Sequence, residues 1–208
     1  MRWIYITKVL IKINDYINKA SMKTIDLPTR RSIIKAGLAF AACSPLPVFS
    51  STAHQETTRS LHLHNIHTGE SLKTVYWEEG VYITESLKDI NYILRDHRTD
   101  DMINIAPHLL DVIAALHKKV HSRRPFEVIS GYRSPRSNAL LYESSGGVNP
   151  NSLHMYGKAI DIRLGDCHLR HLRNAAIPMR QGGVGYYPES DFVHVDTGAI
   201  KYWKYEPL

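Results

Sequence analysis

The chain has almost no cysteine. Of its 208 residues only Cys43 and Cys167 are cysteines, and Cys43 lies in a segment that reads as removable or lipidated. The mature fold must therefore stand without an intramolecular disulfide, even in an oxidising compartment. Internal repeats are absent too. So is a long hydrophobic run: the apolar stretch from Ile33 to Ala42 is about ten residues, too short to cross roughly 30 Å of hydrocarbon as a helix. Acidic residues are the minority, 20 against 26 Lys and Arg, for a formal charge of +6 and a pI near 9.3. That balance admits an anionic partner. Much of the excess, however, comes from Arg2, Lys8, Lys12, Lys19, Lys23, Arg30, Arg31 and Lys35, all upstream of the expected mature part. No aromatic-basic stripe accompanies the charge, so nucleic acid is not an expected partner.

What is present at the N-terminus reads as an address. Thr29-Arg30-Arg31-Ser32-Ile33-Ile34-Lys35 resembles a twin-arginine export signal, followed by the apolar run with Gly37 inside it. Ser51-Thr52-Ala53 supplies small residues for cleavage before His54, which leaves a soluble periplasmic protein. Phe40-Ala41-Ala42-Cys43 resembles a lipoprotein box with phenylalanine in place of the usual leucine, and cleavage there would leave a lipid anchor on Cys43. Met22 offers an alternative start. The expected organisation is an extension plus signal over 1–53 and one domain over 54–208.

Along that domain, Leu61 to Ile66 and Leu72 to Trp77 alternate apolar and polar about the turn His67-Thr68-Gly69-Glu70, which predicts a β-hairpin. His62 and His64 share one face of its first strand, with no acidic or cysteine companion to make them a metal pair. Ile83 to Arg95 places Leu87, Ile90 and Leu94 at helical spacing. Pro107 opens a second helix with an apolar stripe of Leu109, Leu110, Ile113, Leu116 and Val120. A strand over Phe126 to Ser130, a helix over Arg136 to Glu143 and a loop over Ser144 to Asn151 follow. Strands are expected at Ala159 to Leu164 and Phe192 to Val195, separated by a helix through Leu169, Leu172, Ala175 and Ala176 and by the glycine-rich Gly182-Gly183-Val184-Gly185. The class is α+β, helices packed on a small antiparallel sheet.

Two segments carry chemistry. Ser152-Leu153-His154 leaves a loop seven residues before Asp161, and strand alternation sets Ile160 and Ile162 inward with Asp161 on the opposite face. In Phe192-Val193-His194-Val195-Asp196, the valines face the core while His194 and Asp196 project together. Two imidazoles and a carboxylate suit Zn²⁺, with a fourth tetrahedral position free for water. Asp166-Cys167-His168 with His171 is a second cluster. It reads as a helix start with Asp166 as N-cap, because a fourth ligand is missing.

Ser130-Gly131-Tyr132-Arg133-Ser134, Ser152-x-His154 with Gly157-x-Ala159-x-Asp161, and Phe192-x-His194-x-Asp196 together resemble the zinc D-Ala-D-Ala carboxypeptidase and murein endopeptidase family, peptidase family M15. Asn65-x-His67-Thr68-Gly69-Glu70-Ser71 and Gly182-Gly183-Val184-Gly185-Tyr186-Tyr187-Pro188 resemble its murein endopeptidase K branch, also known as domain of unknown function 882. The resemblance implies a hedgehog/DD-peptidase-like fold, zinc held by His154, Asp161 and His194, and Arg133 contacting substrate near the scissile carbonyl. Ser152 is expected to orient the loop or bind substrate. The implied substrate is the peptide cross-link of peptidoglycan stem peptides, diaminopimelate to diaminopimelate or D-Ala to diaminopimelate.

The general base departs from the family pattern. Many members carry glutamate three residues before the last zinc histidine, where this chain has the shorter Asp191. Asp196, two residues after His194 on the same face, is the favoured base, and orienting a ligand is its alternative role. A non-catalytic, zinc-stabilised cell-wall binding module on the same fold is the competing expectation, and oligomeric state is left open.

Overall fold

The computed structural model describes residues 56–145 and 148–204. The expected leader, with both cleavage points, Met22 and Cys43, lies outside them, as do Gly146 and Gly147 of the expected loop. No helix among the described residues is long and apolar enough to cross a membrane.

The hairpin forms from β1 (Thr58–Asn65) and β2 (Ser71–Glu78). Gly69 takes φ 74° in its turn, where Asn65 Oδ1 accepts from the backbone N–H of His67 and Thr68. A two-residue β3 (Val81–Tyr82) precedes α1 (Thr84–Ile93) and α2 (Pro107–Lys119). Proline at its start and His117, Lys118 and Lys119 in its last turn suit the ends of α2, proline having no N–H to leave unpaired and the basic groups facing the negative pole of the helix. Next come β4 (Phe126–Ser130), α3 (Pro135–Ser145) and a 3₁₀ turn over Leu153–Tyr156. The chain continues through β5 (Ala159–Leu164), α4 (Leu169–Ala176), a second 3₁₀ turn over Ile177–Met179, β6 (Gly183–Tyr187), β7 (Phe192–Asp196) and β8 (Lys201–Lys204).

The strands make one sheet of eight in the order β3-β2-β1-β4-β5-β7-β6-β8. The α+β class holds, but the sheet is larger than expected and mixed, since β1 pairs β4 and β6 pairs β8 in parallel. The unexpected strands lie largely at the ends. The glycines of β6 conceal it, because glycine contributes no side chain to a strand's pattern. One face is apolar: Leu61, Leu63, Phe126, Val128, Ile160, Ile162, Val193 and Val195 are buried, joined by Leu109, Ile113 and Leu116 of α2 and Leu172 of α4. Each such side chain contributes roughly 1.5–3 kcal/mol on burial. The strands that carry Asp161 and His194 are thus anchored from behind.

Asp166 does not cap α4. His168 holds that place without a side-chain hydrogen bond, and Asp166 accepts instead from Ser122 Oγ at 2.7 Å and from the Arg123 N–H. His62 and His64 are both partly exposed on β1, and His64 Nδ1 meets Ser71 Oγ at 2.9 Å.

Candidate metal centre

The site is a row across the sheet. On neighbouring strands Ser130 lies opposite Asp161, Asp161 opposite His194, His194 opposite Gly185, and Gly185 beside Trp203. His154 is added from above by the 3₁₀ turn. Ser152 Oγ accepts from the His154 N–H at 3.4 Å to begin that turn, and Gly157 ends it at φ 63°, where a Cβ would lie 2.7 Å from the Asn104 carbonyl oxygen. Ser152 is therefore a buried cap that orients His154, and it also borders the cleft described below.

One ligand atom from each of His154, Asp161 and His194 lies within 4.8 Å of the other two, the only such cluster among the described residues. His154 Nε2 stands 3.2 Å from His194 Nδ1 and 3.3 Å from Asp161 Oδ2, and His194 Nδ1 is 2.8 Å from Asp161 Oδ1. The outer nitrogens are anchored. His154 Nδ1 lies 2.7 Å from the Gly131 carbonyl, and His194 Nε2 lies 3.1 Å from Asp196 Oδ2. With each outer nitrogen held in this way, His154 Nε2 and His194 Nδ1 are turned toward Asp161, and these are the nitrogens that can bind a metal once they carry no proton. The Gly131 carbonyl reaches His154 because residue 131 has no side chain: a Cβ would sit 2.6 Å from the Leu94 carbonyl oxygen.

The electrostatics favour a cation. Burial opposes ionisation of Asp161, yet the two imidazoles hold its carboxyl well below the ordinary range. Burial lowers His154 despite Asp161, which keeps its ring neutral. His194 goes the other way, since hydrogen bonds to Asp161 and Asp196 overcome burial and raise it to about 9. A buried ring between two carboxylates carries positive charge until a metal supplies it.

Arg133 enters from the loop after β4. Its Nη2 is 3.3 Å from Asp161 Oδ2 and 3.4 Å from Ser130 Oγ, its Nη1 is 3.4 Å from Asn138 Oδ1, and its buried Nε has no partner. Burial lowers its pKa against the pull of Asp161.

A cleft of about 310 Å³ opens over these groups. Its far wall is aromatic. Tyr187 stacks on Phe192 at 4.4 Å and accepts at Oη from Trp203 Nε1 at 3.0 Å, while the Trp203 ring lies 5.3 Å from His194.

The two aspartates proposed as base fare differently from expectation. Asp191 is not brought into the site. Its side chain is 63% exposed and pairs with Arg163 Nη1 at 3.0 Å, at a turn position with φ 52°. Asp196 is close but occupied. Oδ2 holds His194, and Oδ1 accepts from the N–H groups of Gly183 at 2.9 Å and Gly198 at 2.7 Å. It meets the ring nitrogen that points away from the ligand cluster, which is the place of an orienting carboxylate and not of a base. Sequence reasoning missed Trp203, Lys201, Tyr187 and Phe192. The adjacent aromatics Tyr202 and Trp203, flanked by Lys201 and Lys204, were the signal for an edge strand.

A sheet and a 3₁₀ turn that together set two imidazoles and a carboxylate at the floor of an open cleft define a candidate metal-dependent hydrolase. The family model described as Peptidoglycan L,D-endopeptidase MepK matches residues 53–203. The chain is 40% identical over 183 residues to the peptidoglycan L,D-endopeptidase MepK of Escherichia coli strain K12, a match that covers 88% of this chain and 100% of that protein. A protein of Haemophilus influenzae named probable peptidoglycan L,D-endopeptidase MepK is 40% identical over 147 residues, 70% of this chain and 79% of the relative. The chain belongs to this family of peptidases.

Proposed function

We propose that the protein is a zinc-dependent murein endopeptidase that hydrolyses peptide cross-links of peptidoglycan, between two diaminopimelate residues, between D-Ala and diaminopimelate, or both. The observation that carries this is the convergence of His154 Nε2, His194 Nδ1 and the Asp161 carboxylate at the cleft floor. That donor set fits zinc. Two neutral nitrogens and one carboxylate oxygen leave a position for water or substrate. Zinc held there by His154, Asp161 and His194 would supply a Lewis acid and lower the pKa of a bound water toward neutrality.

The protein's own residues do the rest. Gly131 and Asp196 hold the outer protons of the two imidazoles, so neither ring can rotate out of register. Arg133, beside Asp161 with Nε unpaired, offers a preorganised positive charge to the oxyanion that develops as the amide carbonyl is attacked. Neither Asp191 nor Asp196 serves as base in this reading, because one faces Arg163 and the other is fully hydrogen-bonded. A water acidified at that site would need no dedicated carboxylate base.

That lack of a free carboxylate is the one observation favouring a second reading, a non-catalytic zinc-stabilised wall-binding module. The names of the 40% identical relatives support the enzyme. The deciding experiment incubates purified protein with cross-linked peptidoglycan, with chelator and after zinc is restored, and resolves the released muropeptides by mass. Loss of cross-linked dimers that is abolished by chelator and restored by zinc supports the enzyme. No change in any muropeptide while zinc is bound establishes the binding module. We also place the protein in the periplasm, on the strength of its twin-arginine-type segment. N-terminal sequencing of the exported form distinguishes a start at His54 from a lipidated Cys43.

A further inference from the structure

We infer that Lys201 determines which bond is cut, by binding a free substrate carboxylate adjacent to the scissile amide. This rests on the endopeptidase reading above and deepens it. β8 is the edge strand beside β6, and alternation along it puts Lys201 and Trp203 on the face that carries Asp161 and His194. Tyr202 goes to the other face, where its Oη donates to the Ile177 carbonyl at 3.0 Å. Trp203 is seated across Gly185, where a Cβ would come within 2.6 Å of its ring, and it is pinned by the bond to Tyr187. Lys201 Nζ in turn lies 5.1 Å from the Trp203 ring centroid. The ammonium is thus steadied beside the metal ligands by a ring that is itself fixed.

Among the described residues, Arg133 and Lys201 are the Lys and Arg side chains that border the cleft, and they differ in their partners. Arg133 is committed to Asp161 at 3.3 Å, whereas Lys201 is exposed and makes no ion pair among the described residues. The carboxylates of the cleft, Asp161 and Asp196, are taken by the imidazoles, Arg133 and backbone N–H groups. Arg133 lies beside Asp161 at one end of the row, and Lys201 stands on β8 two residues before Trp203, which forms the other end. A peptide laid across the ligands is bracketed by both. The ligand that satisfies Lys201 is an amide whose neighbouring carbon bears an ionised carboxylate, as a stem peptide cross-linked through a diamino acid does. A side chain or amidated group at that position leaves the lysine unpaired.

The test uses two synthetic cross-linked muropeptide dimers that differ only at the carboxylate next to the scissile amide, free in one and amidated in the other. The zinc-loaded protein is compared with Lys201→Met, which keeps the aliphatic stem over Trp203, and with Lys201→Arg. Wild type is expected to prefer the free carboxylate by roughly ten- to hundredfold in kcat/KM, the range of a charge-assisted hydrogen bond. Lys201→Met should lose that preference through KM, and Lys201→Arg should restore most of it. Equal losses by Lys201→Met on both dimers, or none on either, overturn the inference. If wild type cleaves neither dimer, the endopeptidase reading falls. Lys201 is then judged by calorimetric binding of the same pair: discrimination lost in Lys201→Met upholds it, and discrimination kept overturns it.

Discussion

Asp96 and Asp161 are both buried carboxylates, 1% and 4% exposed, and both are held below the ordinary carboxylate range. Their partners differ in kind. Asp96 lies in the connection after α1 and accepts from the backbone N–H of Ser134 at 2.8 Å and of Arg98 at 3.0 Å. Those donors belong to the covalent chain, and the carboxylate staples the connection after α1 to the loop that carries Arg133 and leads into α3. Asp161 is surrounded by His154, His194 and Arg133, side chains from separate elements, and the two imidazoles bring a ring nitrogen each to its carboxylate. The first arrangement is complete as it stands. The second is built to be completed by a cation, and the contrast separates a stabilising carboxylate from a functional one.

The largest effect should come from removing the functional member. Asp161→Ala is expected to abolish stoichiometric zinc binding and to lower muropeptide release at least a thousandfold, about 4 kcal/mol of transition-state stabilisation. Its far-ultraviolet circular dichroism should stay that of wild type. Retained zinc with full activity would collapse the distinction between the two carboxylates.

Next is the group that holds His194. Asp196→Ala should weaken zinc roughly ten- to hundredfold, as loss of a carboxylate behind a ligating histidine does. Competitive chelator titration reads it. If zinc affinity is unchanged while activity vanishes, Asp196 is the base and not an orienting residue.

Asp96→Asn should act on stability alone, by about 2 kcal/mol at neutral pH. Burial pushes this carboxyl up, but the nearby Ser137 and Ser134 hydroxyls and the backbone N–H groups of Arg98 and Ser134 outweigh it and hold it at about 2, below the ordinary aspartate range. A lowered folded-state pKa stabilises above the unfolded value and is lost as pH falls through the folded one. The gap between wild type and Asp96→Asn in denaturant midpoint should therefore be full above pH 4 and close as the pH falls toward 2. Zinc stoichiometry should not change.

The smallest effect belongs to Asp191→Asn. Its exposed pair with Arg163 contributes less than about 1 kcal/mol, and activity should stay within about twofold of wild type. A large fall in kcat would return the base role to Asp191 and require its loop to turn inward.

Much of this molecule was legible in one dimension. Period-2 alternation in Phe192–Asp196 placed the valines inside and His194 with Asp196 outside, and the apolar stripe after Pro107 marked α2, because both patterns are local and repeat within one element. The ligand set His154, Asp161 and His194 was named from its motifs and is the set the fold brings together. Glycine misled in the other direction. Gly183 and Gly185 look like a loop, yet they lie in a strand where the Asp196 carboxylate and the Trp203 ring occupy the space a Cβ would need.

By itself, then, the sequence determined the ligand types, the faces of their strands and the helices behind them. Only the tertiary structure decided that five strands align Ser130, Asp161, His194, Gly185 and Trp203 in one row, and that the C-terminal strand closes the site. It also decided that Asp196 stands behind a ligand while Asp191 turns to Arg163. The physical reason is range: alternation and caps are set by neighbours along the chain, whereas a side chain's role at a shared site depends on which distant strand supplies its hydrogen-bond partner.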